Sequence, residues 1–287
     1  MDITYFAEVA KLVGVFGLKV TRGGEQLAYQ TWDEEVRRNV YSASKSFVAC
    51  AVGFAVQEGL LSIDEPLCEA FAGSLPASPC ENLQKAKVRD LLTMCLGQDR
   101  AQLMGPFRPL YEEDDWVKLA LSFPFPHAPG SKFVYSNAGP YLAGMLVQRR
   151  AGCDLVQYLT PRLFAPLGIR RPTWEVDPLG NTFGSSGLML TLSELHRFGL
   201  FCLQKGNWEG KQLLDAAWLE ECTSPQSAAP YGYFFWMGEK NSFRADGKNG
   251  QLSIVFPEKE AVVTVVSESR HVPLIFRAIY DTIWPQL

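Results

Sequence analysis

Residues 40–50 read VYSASKSFVAC. Ser42 stands three residues ahead of Lys45, at the mouth of an apolar run that continues to Gln57 and is closed by Gly59. A run that is apolar nearly all round marks a helix buried at the centre of a protein. Its lysine therefore needs a reason to be there. On a helix, side chains at i and i+3 meet on one face. Ser42 also lies at the helix N-terminus, where free N–H groups and the dipole favour negative charge. A serine alkoxide, or an oxyanion beside it, would be stabilised there. The plainer alternative makes Ser42 an N-cap and lets Lys45 snorkel to solvent.

Outward from this helix, the chain changes character twice. Asp2 can cap a helix with an apolar face of Ile3, Phe6, Val9 and Ala10. Residues 14–21 and 25–30, joined by Arg22-Gly23-Gly24, read as a hairpin. The middle is helical, with candidate helices at 88–96, 112–121, 139–150 and 155–164, and a Thr191/Glu194 capping box ahead of 195–203. The acidic run Glu112–Asp115 reads as a first helical turn. Asp215 can cap a short helix to Cys222. Strand patterns return at 231–238, 251–256 and 261–266, and Pro273 opens a last helix through Ile283. This layout predicts an α/β fold of the α+β type. Residues 1–62 and 225–287 form an α/β domain with the sheet and the Ser42 helix, split by a mainly helical insertion at 63–224.

Composition narrows the function. In 287 residues, 47% hydrophobic content leaves ample material for a core. A net charge of −4 with no Lys/Arg block argues against a nucleic-acid surface. No apolar stretch is long enough for a membrane span, and the N-terminus lacks the basic start of a secretory signal. The seven cysteines are odd in number and form no C-x-x-C pair, which favours a reduced, cytoplasmic protein. His127, His196 and His271 lack metal-like spacing, so no metal site is expected.

A serine nucleophile needs a base. No G-x-S-x-G elbow occurs, and Gly184-Ser185-Ser186-Gly187 has the wrong order. Two other stretches offer partners. Tyr135-Ser136-Asn137 sits in a loop just before a helix, and Lys248-Asn249-Gly250-Gln251 sits at a strand start, where glycines let backbone approach a ligand closely. Taken singly, each is also a buried tyrosine with an asparagine cap, or a hairpin turn with a solvated lysine.

Together, Ser-x-x-Lys, Tyr-Ser-Asn and Lys-Asn-Gly stand in an order that resembles the serine β-lactamase and penicillin-binding-protein superfamily. The tyrosine makes the chain most similar to the class C β-lactamases, the D-Ala-D-Ala carboxypeptidases and the related esterases. Further landmarks are Glu58–Pro66, Val88–Thr93 and Ser186–Thr191. Two departures stand out. Asn249 replaces the threonine of K-T-G, and Met94-Cys95-Leu96 replaces the family's polar residues. The class A deacylation motif E-x-x-L-N is absent between Tyr135 and Lys248.

The resemblance implies an antiparallel sheet flanked by N- and C-terminal helices, and acyl transfer through an ester on Ser42. Lys45 or Tyr135 would act as the base. Lys45 and Lys248 near Tyr135 would favour its phenolate. The backbone N–H groups of Ser42 and Gln251, the latter after Gly250, would form the oxyanion hole. Asn137 would hold Lys45 or the substrate's acyl amide, and Lys248 would steady Tyr135 or bind a carboxylate. No metal or organic cofactor is needed. The expected substrate is a small ester or amide. β-Lactams or D-amino-acid peptides, a non-catalytic acylatable sensor, and acyl transfer to an alcohol or amine are the competing readings.

Overall fold

The computed structural model describes residues 1–287. Six antiparallel strands form the sheet: β1 (Val15–Arg22), β2 (Glu25–Thr31), β3 (Trp236–Met237), β4 (Phe243–Gly247), β5 (Gln251–Phe256) and β6 (Ala261–Ser267). Their spatial order is β2-β1-β6-β5-β4-β3. The N-terminal hairpin thus pairs with β6, so the two ends of the chain complete one sheet.

Both faces of the sheet are covered, which is why β5 and β6 are mostly apolar and buried at every residue. Helix α1 (Thr4–Val13) and the C-terminal helical segment cover one face. There Phe6 and Ala10 pack with Leu18, Ile254, Val263 and Ile279. The other face meets the larger core. It includes α2 (Ser44–Gln57), α3 (Ala138–Ala151) and α4 (Leu192–Leu203). Helix α2 is buried at every residue from Ser44 to Ala55, as its all-round apolar sequence requires. It packs against α3, while α4 lies across β5 and β6 although it comes from the 63–224 stretch. The Thr191/Glu194 capping box forms at the start of α4, and Asp215 caps Ala216–Cys222.

Several elements differ from the sequence pattern, for physical reasons. The helix expected at 88–96 ends at Leu92. Met94 turns at φ 59°, and Met94, Cys95 and Gly97 instead take backbone hydrogen bonds from Val134, Gly130 and His127. That pairing anchors the loop carrying Tyr135. The acidic run is not a first turn: the helix is Trp116–Ser122, and Asp115 alone caps it, accepting from the Val117 and Lys118 N–H groups. Of the 231–238 strand only β3 forms, because Phe234 at φ 61° breaks the extended run. The last α-helix, α5 (Val272–Ala278), passes into a π-helical turn at Ile279–Ile283. No helix is long and apolar enough to cross a membrane. The seven cysteines are all free thiols.

Candidate active site

The helix N-terminus that drew attention in the sequence opens into a cleft of about 1050 Å³. Ser42, Tyr135, Asn137 and Lys248 all line it. Three distant stretches thus reach one place, carried by the start of α2, the loop before α3 and the β4–β5 turn.

Ser42 lies in a single 3-10 turn, Tyr41–Ala43, that feeds into α2. Tyr41 is held at φ 46°, a left-handed conformation that costs a non-glycine residue about 1–2 kcal/mol. Side chains hold it there. Asn39 Oδ1 accepts from the Tyr41 N–H at 2.7 Å, and the Tyr41 hydroxyl donates to Glu268 at 3.0 Å. Glu268 also accepts from Asn249 at 2.6 Å. One carboxylate therefore ties the nucleophile turn to the Lys-Asn-Gly turn.

Lys45 does not snorkel. Its side chain is fully buried, with Nζ 2.9 Å from Ser42 Oγ and donating to the Ser185 carbonyl at 2.8 Å. No carboxylate pairs with it. Burial first, and the Arg108 guanidinium second, push its pKa down to about 7. Near neutral pH this amine is poised to lose its proton.

Tyr135 moves the other way. Burial, with help from the Asp246 carboxylate, pushes its phenol up to about 12, against the opposing effect of the Ser42 hydroxyl beside it. The expectation that neighbouring cations would favour its phenolate is thus corrected. Lys45 Nζ does lie 5.1 Å from the Tyr135 ring centroid. However, desolvation of the ring dominates, and the acidic neighbour Asp246 adds to the shift. The ring stacks on Trp236 at 5.5 Å and meets Tyr231 edge-on at 6.0 Å.

Asn137 is buried, and its Nδ2 donates to the Leu103 carbonyl at 3.0 Å; it makes no hydrogen bond to Lys45. Ser185 holds the amine instead, and the Ser185 hydroxyl in turn donates to the Asn137 carbonyl at 2.7 Å. Lys248 is exposed at the cleft and forms no ion pair or side-chain hydrogen bond. Gly250, at φ 88°, packs where a Cβ would strike Ser267, and the buried Gln251 donates to the Ser267 carbonyl at 2.5 Å. Gly247, at the end of β4, lies against the Val40 carbonyl, inside the distance any Cβ would need. That close approach seats the Lys-Asn-Gly turn beside Ser42.

The cleft also holds residues the motifs do not mark. Arg108 pairs with Glu175 at 2.5 Å on the helical side, and Arg244 pairs with Asp246 at 2.7 Å on the sheet side. Trp174 and Trp236 add apolar wall. Trp236 lies in the stretch read as a strand at 231–238; Tyr231, Tyr233 and Phe234 of that stretch are buried in the core. Ser185 lies in the Gly184–Gly187 stretch, whose two glycines take positive φ, but nothing local in the sequence marks it as a partner of Lys45.

Comparison with known proteins identifies the family and the fold. The Beta-lactamase family profile matches residues 5–282. An uncharacterized protein of Alkalihalophilus pseudofirmus is 25% identical, over 86% of this chain and 78% of its own. A 6-aminohexanoate-dimer hydrolase of Paenarthrobacter ureafaciens is 24% identical, over 86% of this chain and 71% of its own. Among solved structures, a penicillin-binding protein of Bacillus halodurans superposes with a TM-score of 0.77 at 18% identity, covering 98% of this chain and 99% of its own. With its profile matched over nearly the whole length and its fold shared with a penicillin-binding protein, the chain belongs to the Beta-lactamase family of serine hydrolase-like proteins.

Proposed function

We propose that this protein hydrolyses small esters or amides through an acyl-enzyme on Ser42, with neutral Lys45 as the base. The observation that carries this reading is the buried Lys45 amine, 2.9 Å from the Ser42 hydroxyl and without a carboxylate partner. Donation to Ser185 occupies one N–H of the amine and leaves its lone pair for the Ser42 proton. Ser42 Oγ attacks the substrate carbonyl carbon as Lys45 takes the proton. The backbone N–H groups of Ser42 and Gln251 receive the oxyanion, at about 2.7–4 kcal/mol per donor.

Tyr135, protonated across the neutral range, relays the proton from Lys45 to the leaving oxygen or nitrogen as its bond to the acyl carbon breaks. Water then enters, Lys45 takes one of its protons, and the hydroxide oxygen bonds to the acyl carbon. Ser42 leaves with the proton returned to it, and a carboxylic acid is released. On this reading 63–224 is the insert that brings Tyr135, Asn137 and Ser185 to a nucleophile borne by 1–62 and 225–287. The hydrolase named for the amide dimer of 6-aminohexanoate supports an ester or amide substrate.

Labelling with a fluorophosphonate, read by mass spectrometry, tests the nucleophile: Ser42 acquires the adduct and Ser42→Ala does not. Nitrophenyl ester turnover disappears in the same variant. Turnover that persists in Ser42→Ala overturns the reading. Cephalosporin or D-Ala-D-Ala peptide turnover at ester rates would move the substrate class to β-lactams or D-peptides, and labelling without turnover would mark a sensor.

A further inference from the structure

We propose that the substrate is elongated, and that its far end passes Arg244 into a second groove that adjoins the catalytic cleft. The proposal rests on the serine hydrolase reading and extends it to substrate shape. Its basis is that Arg244 lines two cavities at once. One is the cleft with Ser42; the other is a groove of about 730 Å³ beyond it, lined by Met237, Pro273, Phe276 and Tyr280 and by the charged Glu239, Arg277 and Asp281. Arg244 is the residue common to both.

Its guanidinium is built into this throat from three sides. Nε donates to Asp246 at 2.7 Å, Nη1 reaches the Met237 carbonyl at 3.3 Å, and the plane lies over the Phe276 ring at 4.8 Å. Nη2 has no protein acceptor and is not enclosed. Three contacts are thus fixed by the fold, while one amino group stays open where the two cavities meet. A strand turns alternate residues to one face, so Arg244, Asp246 and Lys248 follow one another along the cleft side of β4 and its end. At the rise of a strand, Arg244 lies roughly 13 Å from Lys248. Since Asp246 already satisfies part of Arg244, the open N–H groups suit a carbonyl or carboxylate oxygen on the ligand. The Met237, Phe276 and Tyr280 walls suit an apolar segment next to it. The ligand class is therefore a long-chain ester or amide with an acceptor oxygen remote from the scissile bond.

Two matched substrate series test this. In one, the acyl part is extended: mono-nitrophenyl esters of dicarboxylic acids of rising length, each against the methyl-ended nitrophenyl alkanoate of equal length. In the other, the leaving part is extended: acetates of ω-hydroxy acids against acetates of plain alkanols, followed by pH-stat. The expected result is a rise in kcat/KM on the order of tenfold for the long carboxylate-ended members of one series, carried by KM, as for a charge-assisted hydrogen bond of about 1.4 kcal/mol. Arg244→Met removes the step. Pro273→Trp, which puts a bulky ring on the wall of the second groove at a residue that does not line the catalytic cleft, lowers the long-to-short ratio as well. Absence of the step in both series overturns the proposal, as does a step that survives both variants. Nitrophenyl acetate turnover that depends on Ser42 keeps the two failures apart. If it is present without a length step, only the proposal on shape falls; if it is absent, the serine hydrolase reading falls and the proposal with it.

Discussion

Lys45 Nζ donates to the Ser185 carbonyl oxygen at 2.8 Å, and this bond fixes which way the amine faces Ser42. A backbone carbonyl can only accept, so it holds one N–H of the amine whatever its charge. Neutral Lys45 then presents its lone pair to the hydroxyl. With its pKa pushed down to about 7, the rate should rise with pH through about 7 and level off above it. Tyr135, pushed up to about 12, should add no falling limb below pH 10. Measuring kcat/KM for an amide substrate from pH 5 to 10 checks both. Lys45→Met should lower it by roughly 10²–10⁴-fold. A bell centred near pH 7 would remove Tyr135 from the role of a standing proton donor.

The same shift has a consequence for stability. In the unfolded chain Lys45 titrates at its ordinary 10.5, and in the folded chain at about 7. Between those values the unfolded state binds more protons, so this group's contribution to stability rises with pH across the window and is constant below it. Lys45→Met lacks that slope. The difference in urea midpoint between wild type and Lys45→Met should therefore move in favour of wild type from pH 7 to pH 10. A difference that stays constant over that range would mean that Lys45 is charged when folded.

Much of this site was legible because local patterns carry it. The bounds of α2 followed from an apolar run with a glycine stop, and β5 from a short, mostly apolar run. Spacing placed Ser42 and Lys45 on one face because a helix has a fixed pitch. Ser185 was not legible as the partner of Lys45, since 140 residues separate them and no local rule links them. The direction of the Tyr135 shift failed for a similar reason. It depends on how deeply the ring is buried and on Asp246, a neighbour contributed by β4. The helix expected at 88–96 was shortened by backbone partners in the 127–134 loop, which local propensity cannot register.

Glu268 accepts from Tyr41 with one oxygen and from Asn249 with the other. Without it, the left-handed Tyr41 and the Lys-Asn-Gly turn lose their common anchor. Glu268→Ala should lower kcat/KM by roughly 3- to 10-fold, the worth of about one net hydrogen bond. Because the two contacts share one carboxylate, Glu268→Ala combined with Tyr41→Phe should cost less than the sum of the single changes. Strict additivity in this cycle would show that the two contacts do not act together.

Gly247 is where the sheet touches the nucleophile turn. A Cβ at this position would overlap the Val40 carbonyl oxygen and lie 2.9 Å from the Gln251 Cβ. Val40 has little room to retreat, since its N–H donates to the Leu188 carbonyl at 2.9 Å and its side chain is fully buried. Gly247→Ala must therefore push β4 away from Ser42, and with it the turn that carries Lys248 and the Gln251 N–H. Displacement of that kind costs on the order of 10²-fold in rate, with an overpacking cost to folding of about 1–3 kcal/mol. Gly73→Ala is the comparison, because its Cβ would meet nothing within 4 Å. The rate of fluorophosphonate labelling at Ser42 and the urea midpoint, measured on both variants, separate the two effects. Labelling of Gly247→Ala at the wild-type rate would show that the register of β4 against the Val40–Ser42 turn does not set the reactivity of the serine.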